Sequence, residues 1–157
     1  MRGKIRYLAL VLALVSLTSP GSAAAVQLSA GGTLYVPIYR NFYQMYGSSK
    51  DTYGLTSTAS LHNTDPKHTI TVQAVEHYDS NGKLLKSLLF EPIAIKPWCT
   101  KEITLPPSVQ AEDFGSNLIV RWKADQPVNR PLVEVLMVGF MLNRGVSFLT
   151  RGQEIKE

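Results

Sequence analysis

Short runs of alternating apolar and polar residues, separated by turn residues, make up most of the chain after residue 32. In residues 55–61 every second side chain is apolar or small, which is the pattern of a strand with one buried face. Residues 69–78 are rich in β-branched side chains, which pack well on a pleated surface. Proline at position 37 predicts an edge or bulged strand, because it cannot donate to a ladder.

The same criteria predict strands at residues 33–39, 55–61, 69–78, 83–90, 93–95, 100–105, 117–124, 132–142 and 146–151. No long helix is predicted between them, and turn residues recur at roughly ten-residue spacing. The predicted fold is therefore all-β, an antiparallel, immunoglobulin-like β-sandwich of about seven to eight strands. Residues 40–54 are the one long segment for which the pattern predicts no strand.

Residues 117–124 and 132–142 are predicted to pair as a hairpin around a loop at 125–130. In this register Arg121 lies opposite Glu134, and both faces keep a uniform character that a one-residue slip would destroy. The core face is predicted to carry Leu118, Val120, Trp122, Val133, Val135 and Met137. The outer face carries Ile119, Leu132 and Leu136 around the Arg121–Glu134 pair, and an exposed apolar patch is typical of a partner site.

The first 25 residues have the composition of a secretory signal peptide. Basic residues precede an apolar run at 8–17, and Ala23–Ala25 satisfies the small-residue cleavage rule. The run has about half the ~20 residues of a membrane-spanning helix, so an uncleaved anchor is the weaker alternative. We expect residues 1–25 to be a cleaved signal and 26–157 a single β-sandwich domain. The product would be periplasmic or secreted, with no transmembrane segment after cleavage.

The net charge of +4 belongs largely to that leader, which holds three of the 16 basic residues and none of the 12 acidic ones. The remaining chain has a net charge near +1. Nucleic-acid binding requires a clustered basic face, so no nucleic-acid partner is expected. Cys99 is the single cysteine, which excludes an intrachain disulfide. Beside Pro97 and Trp98 it is predicted to be buried.

The three histidines all lie between residues 62 and 77. His62 and His68 flank residues 63–67, whose asparagine, aspartate and proline favour a tight turn. If the two imidazoles face each other across a hairpin, they supply half of a zinc or copper site. His77 lies roughly 30 Å further along the strand, and Asp65 is better explained as a turn residue. We therefore predict a turn, with metal binding at His62 and His68 as the alternative.

Other catalytic or metal-binding motifs are incomplete. Residues 79–82 resemble the start of a calcium loop, but Leu84 and Phe90 occupy positions that require glycine and glutamate. No G-x-S-x-G motif and no placed Ser–His–acid set is present. The chain is predicted not to be an enzyme and to need no cofactor, and an unrecognised hydrolase is a second alternative.

Residues 39–53 have the most unusual local composition, with four tyrosines close together in sequence. Tyrosine and arginine give large contact areas with a polar end, so an exposed segment of this kind favours binding. The candidate binding residues here are Tyr39, Arg40, Phe42, Tyr43, Tyr46 and Tyr53. The alternative is that these rings cover one end of the sandwich.

Several short motifs together resemble a known family. They are LYVPIY at 34–39, NTDP at 63–66 with ITV at 70–72, YDSNGK at 78–83, VN at 128–129 and VSF at 146–148. This combination is similar to a bacterial family of exported proteins whose domain has no assigned function. The resemblance implies no catalytic residue. Many members carry lipoprotein-type leaders, whose cysteine this chain lacks.

These observations favour a non-enzymatic binding or structural module of the cell envelope. Its partner would be an envelope protein or ligand whose identity the sequence leaves open.

Overall fold

The computed structural model describes residues 27–46, 49–105, 115–141 and 143–156. Within these ranges the chain forms strands and no helix. The strands are β1 (Ser29–Tyr39), β2 (Asn41–Tyr46), β3 (Ser49–Gly54), β4 (Thr56–His62), β5 (Ile70–Tyr78), β6 (Leu84–Ser87), β7 (Ile93–Ile95), β8 (Thr100–Leu105), β9 (Gly115–Val128), β10 (Leu132–Met141), β11 (Arg144–Arg151) and β12 (Gln153–Ile155). The predicted all-β class is confirmed. The described residues form twelve strands, against seven to eight predicted. Each of the nine segments predicted above contains a strand, and β2, β3 and β12 add three more.

The strands form two large antiparallel sheets and one small one. The six-stranded sheet has the order β12-β1-β9-β5-β6, with β7 also paired to β5. The four-stranded sheet has the order β11-β10-β4-β8. Strands β2 and β3 pair only with each other and form a two-stranded ribbon.

The two large sheets bury their alternating apolar positions against each other, as the period-2 pattern predicts. From the six-stranded sheet, Val36, Val75, Leu118 and Val120 are buried, and from the four-stranded sheet, Ala59, Leu61, Val133, Val135 and Met137. All of these belong to one core cluster. The antiparallel sandwich prediction is therefore confirmed, and so is the predicted set of core-facing residues in β9 and β10.

The predicted hairpin between β9 and β10 is wrong. Strand β9 lies between β1 and β5, whereas β10 lies between β4 and β11 in the other sheet. Arg121 is opposite Thr33 and Ala74, and Glu134 is opposite Ser60 and Arg151. The inward faces of β9 and β10 match because they meet in the same core from opposite sides. Matching apolar faces on two strands are expected both when the strands pair in a hairpin and when they pack against each other from two sheets. The apolar pattern alone therefore does not distinguish the two arrangements.

Three connections cross between the sheets at one end of the sandwich. Residues 63–69 link β4 to β5, residues 96–99 link β7 to β8, and residues 129–131 link β9 to β10. Hydrogen bonds join the three segments to one another: the Asn63 amide N–H donates to the Cys99 carbonyl at 3.0 Å. Thr64 Oγ1 donates to the Arg130 carbonyl at 2.8 Å.

The ribbon β2–β3 carries the chain from one sheet to the other elsewhere in the fold. It starts after β1 of the six-stranded sheet and returns to β4 of the four-stranded sheet. At its base the Leu55 N–H donates to the Arg40 carbonyl at 2.8 Å. A Cβ added to Gly139 would lie 2.8 Å from the Gly54 carbonyl oxygen, so the glycine allows the ribbon base to pack directly on β10.

Strands β11 and β12 belong to different sheets, although only Gly152 separates them. Strand β11 pairs with β10, and β12 then pairs with β1. The Gly152 N–H donates to the Val133 carbonyl at 2.8 Å, and a Cβ at this position would lie 3.1 Å from Val36 Cγ2. The close approach explains why the strand changes sheets at a glycine. The described residues contain no helix that is both long and apolar enough to cross a membrane.

Candidate functional site

The NTDP segment, residues 63–66, joins the segments at the sheet-crossing end through hydrogen bonds. Asp65 is buried, and its Oδ1 accepts the backbone N–H groups of Lys67 and His68, both at 2.9 Å. Its Oδ2 accepts the Asn129 N–H at 3.1 Å. The Lys67 N–H is the main cause that lowers the Asp65 pKa from 3.8 to about 2; burial opposes the shift, and Asn129 and His68 add to it.

The two candidate metal-binding histidines have separate partners. His62 Nδ1 lies 2.9 Å from Thr100 Oγ1, across β4 and β8. His68 Nδ1 lies 3.0 Å from Asp65 Oδ1. The expected hairpin is wrong, because β4 and β5 belong to different sheets. In the described ranges no group of three or more His, Cys, Asp or Glu residues is placed to hold a metal ion.

His77 forms a polar pair that the sequence did not reveal. Its Nε2 lies 3.0 Å from Ser116 Oγ, and the two residues are 5% and 6% exposed. Both occupy inward positions of neighbouring strands, with Ser116 in the same alternation as the buried Leu118 and Val120. The pair therefore lies at the margin of the core, where a hydrogen bond offsets the cost of burying two polar side chains.

An aromatic cluster forms at the base of the ribbon. Phe42 stacks on Tyr53 with ring centroids 5.3 Å apart, and Phe148 of β11 lies 6.4 Å from Phe42 and 6.5 Å from Tyr39. Tyr39, Asn41, Phe42 and Phe148 line a pocket of about 350 Å³, which we call the ribbon pocket. The structure thus brings together three of the six candidates from residues 39–53.

The other three candidates lie beside this cluster. Arg40 is the residue between β1 and β2 and is partly buried. Tyr43 is exposed and, one position after Phe42, lies on the opposite face of the ribbon. Tyr46 is paired with Ser49 near the ribbon tip, and its side chain is outside the described part. The sequence does not predict Phe148 at this site, because the alternation of side chains in β11 does not show which other segment those side chains contact.

A second pocket lies on the outer face of the six-stranded sheet. It has a volume of about 280 Å³, and we call it the sheet pocket. It is lined by Tyr35, Pro37, Ile38, Tyr39, Ser80, Gly115, Ser116 and Asn117. None of these residues is charged. Tyr39 lines both pockets, so the two cavities lie on either side of this residue.

The predicted outer patch divides between the two sides of the molecule. Ile119 lies beside Arg121 on the six-stranded sheet, whereas Leu132 and Leu136 flank Glu134 on the four-stranded sheet. The expected Arg121–Glu134 pair is wrong. Arg121 donates to Glu76 at 2.7 Å, and Glu134 accepts two hydrogen bonds from Arg151 at 2.7 and 3.0 Å.

The outer face of each large sheet has its own feature: a line of exposed apolar side chains on the four-stranded sheet, and a hydrogen-bonded set of ionisable side chains on the six-stranded sheet. On the four-stranded sheet the outer positions of β10 and β11 expose a line of apolar side chains: Leu136, Val138, Phe140 and Leu149. On the six-stranded sheet the hydrogen bond from Arg121 lowers the Glu76 pKa, and the hydrogen bond to Glu76 raises the Tyr78 pKa.

Cys99 is exposed, contrary to the prediction that it is buried. It ends the turn that links β7 to β8, and its N–H donates to the Lys96 carbonyl at 3.1 Å. Trp98 adopts a φ of 59° in this turn and is also exposed. The turn directs both side chains away from the core, which composition alone did not reveal.

A protein-family model described as "Protein of unknown function (DUF3124)" matches residues 31–155. The chain belongs to this family. The match confirms the expected membership of a family without an assigned function, and it covers both large sheets, the ribbon and the two pockets. No curated protein matches the chain.

One solved structure, titled "Crystal Structure of Thermotoga maritima 1070", aligns with a TM-score of 0.40 and 12% sequence identity. The alignment covers 78% of this chain and 92% of that chain.

Proposed function

We propose that this member of the DUF3124 family is an exported, non-enzymatic binding module of the cell envelope. It takes an apolar group of an envelope ligand or partner protein into the ribbon pocket. The observation that carries the proposal is the open cavity lined by the aromatic rings of Tyr39, Phe42 and Phe148. Tyr53 stacks on Phe42 and completes the aromatic cluster.

The size and lining of the ribbon pocket suit a small apolar group. Its volume of about 350 Å³ is at the lower end of the usual range for ligand pockets, roughly 300–1,000 Å³. Three of the four lining residues that the structure describes are aromatic, and Asn41 contributes a polar side chain. Such pockets combine apolar walls with a few polar groups that orient the ligand.

Incomplete burial of the rings supports the same conclusion. Phe148 is 43% exposed and Tyr39 is 37% exposed. Leaving apolar area in water forgoes roughly 25 cal/mol per Å². Covering these rings with a ligand would recover that free energy, which is why exposed aromatic clusters commonly mark binding sites.

Export is proposed from the first 25 residues, whose basic start, apolar run and small residues before position 26 have the order of a secretory signal. The intact mass of the protein isolated from its own cells tests this step. We expect a chain that begins near Val26 and is recovered in the periplasm or medium. A full-length chain in the cytosol would contradict export and would leave the pocket proposal to its own test.

The pocket is tested with N-phenyl-1-naphthylamine, a neutral apolar probe whose fluorescence rises when it leaves water. We expect saturable binding to the native protein and about tenfold weaker binding to Phe148→Ala, a loss of about 1.4 kcal/mol. Phe90→Ala is the matched control, since Phe90 is fully exposed and lines neither pocket. Equal affinity of all three proteins, or no saturable binding, would contradict the proposal.

A further inference from the structure

We propose that the sheet pocket binds a neutral sugar unit of an envelope glycan. This goes beyond the proposed function, because the site is a different cavity with different chemistry. Among the described residues, Tyr39 is the one that lines both pockets.

The strand β1 builds the aromatic part of the site. Side chains alternate across a strand, so Tyr35, Pro37 and Tyr39 all lie on the outer face. The two tyrosines are about 13 Å apart along the strand at ~3.3 Å per residue. They are 40% and 37% exposed, and Pro37 lies between them on the same face. The result is a shallow trough with a ring near each end.

Polar groups come from two other parts of the six-stranded sheet. Asn117 of β9 is directly opposite Pro37, and Ser80 lies in the turn that follows β5. An amide and a hydroxyl can each both donate and accept hydrogen bonds. Together with the tyrosine hydroxyl groups, they surround an apolar floor with groups of mixed hydrogen-bonding character.

This combination selects a ligand with an apolar face and uncharged polar edges. A pyranose ring has this form: its C–H groups pack on an aromatic face, and its hydroxyls both donate and accept. Among the lining residues that the structure describes, an anionic ligand such as a phosphate would meet no cationic side chain, although anions are normally held by charge-assisted hydrogen bonds. A wholly apolar ligand would remove Asn117 and Ser80 from water without replacing their hydrogen bonds, which is costly.

The test uses chitotetraose and cellotetraose as neutral sugar probes, followed by heteronuclear NMR on the purified protein. We expect saturable shifts of residues 35–39, 80 and 115–117 by at least one of the two sugars. Tetragalacturonate, which has similar length but four carboxylates, should bind about tenfold more weakly. No saturable binding of either neutral sugar up to about 10 mM would overturn the proposal. Binding of tetragalacturonate as tight as that of the neutral sugars would also overturn it.

Two variants locate the binding. Tyr35→Ala should weaken the better sugar about tenfold, and Asn117→Asp, nearly the same in shape, should weaken it about fivefold. Phe90→Ala is the control here too, because Phe90 is fully exposed and lines neither pocket. Near-ultraviolet circular dichroism of each variant checks the fold. Unchanged sugar affinity in folded Asn117→Asp and Tyr35→Ala would show that the sugar binds elsewhere and would end the proposal.

The same variants distinguish a failure of the sugar-site proposal from a failure of the ribbon-pocket function proposed above. Tyr35→Ala should leave N-phenyl-1-naphthylamine binding intact, and Phe148→Ala should leave sugar binding intact. If the native protein binds only one of the two kinds of probe, only the pocket proposed for the other kind is contradicted. If Phe148→Ala abolishes both activities, the pockets are not independent and the assignment of a separate sugar site is wrong.

Discussion

At the scale of single residues, Asp65 and Asn63 organise the crossing between the two sheets. Asp65 accepts backbone N–H groups from its own segment and from Asn129. Asn63 donates to the carbonyls of His68 and Ile95 at 2.8 and 2.9 Å. These residue types are typical of a turn, but here they also connect separate parts of the chain. The Asp65 carboxylate connects residues 63–69 to residues 129–131, and the Asn63 side-chain amide reaches the end of β7.

The Asp65 carboxylate makes stability depend on pH. Its pKa falls from 3.8 to about 2 on folding, so its stabilising contribution is complete above the unfolded value and is lost as the pH falls through the folded one. We expect urea midpoints of the native protein to fall steeply between about pH 4 and pH 2. Asp65→Asn should be less stable at pH 7 and show a flatter profile over that range. Asp125→Asn, at an exposed position, is the control. If its stability profile is as flat as that of Asp65→Asn, the pH dependence does not come from Asp65.

The buried His77–Ser116 pair is expected to stabilise the fold. Ser116→Ala removes one member and leaves His77 Nε2 without this hydrogen bond, which should cost about 1–3 kcal/mol in unfolding free energy. Ser147→Ala, at an exposed position, should change stability by less than about 0.5 kcal/mol. A fluorophosphonate that labels the native protein at Ser116 would show instead that this serine is an accessible nucleophile.

At the scale of the elements, the strands that pair with one another are not the ones that the pattern of apolar and charged residues indicates. Strands β9 and β10 are consecutive, and both alternate apolar and polar residues, yet they lie in different sheets. Arg121 and Glu134 each meet an oppositely charged residue of their own sheet: Arg121 meets Glu76, and Glu134 meets Arg151. Both pairs are at least partly exposed to solvent, so their contributions are small.

Double-mutant cycles distinguish the observed pairing from the hairpin. For alanine substitutions, Arg121 with Glu76 should show a coupling energy of about 0.5–1 kcal/mol in urea unfolding. Arg121 with Glu134 should show coupling within about 0.3 kcal/mol of zero, because the two side chains lie on opposite faces of the sandwich. The reverse result would support the hairpin register.

The ribbon depends on the absence of a side chain at position 139. In Gly139→Ala the new Cβ would lie 2.8 Å from both the Gly54 oxygen and Leu55 Cδ2. The ribbon base must shift, at a cost of about 1–3 kcal/mol in thermal or urea unfolding. In the control Gly145→Ala the nearest atom is Phe140 Cε1 at an ordinary 3.7 Å. If the two variants are equally stable, the ribbon does not pack on β10 as described.

At the scale of the molecule, the chain passes repeatedly between the two sheets. The crossing segments, the ribbon and the β11–β12 strand all join one sheet to the other. The core cluster draws side chains from both. Neither sheet can therefore separate without exposing the buried face of the other.

Unfolding is expected to be a single transition for this reason. Trp122 is buried in the six-stranded sheet, whereas Trp98 is exposed, so Trp98→Phe leaves one buried fluorophore. Its fluorescence and the far-ultraviolet circular dichroism, which reports all strands, should change at the same urea concentration. A dichroism change that continues after the Trp122 transition would show that the four-stranded sheet is stable alone.

From the amino-acid sequence alone, the β-class, most of the strands and the inward faces of β4, β9 and β10 could be predicted. The family could be predicted as well. These properties are local: the two-residue period places side chains on one face or the other without reference to any partner. Tyr39, Phe42 and Tyr53 were correctly grouped because they are close together in the chain.

Tertiary structure alone decided which strands pair and where cavities form. The hairpin between β9 and β10 was wrong because facing strands of two packed sheets and paired strands of one sheet show the same apolar pattern. Phe148 reaches the ribbon pocket, and Asn117 and Ser80 reach the sheet pocket, from segments far from Tyr39 in sequence. Proximity between distant segments depends on the topology of the whole chain, and no local period encodes it.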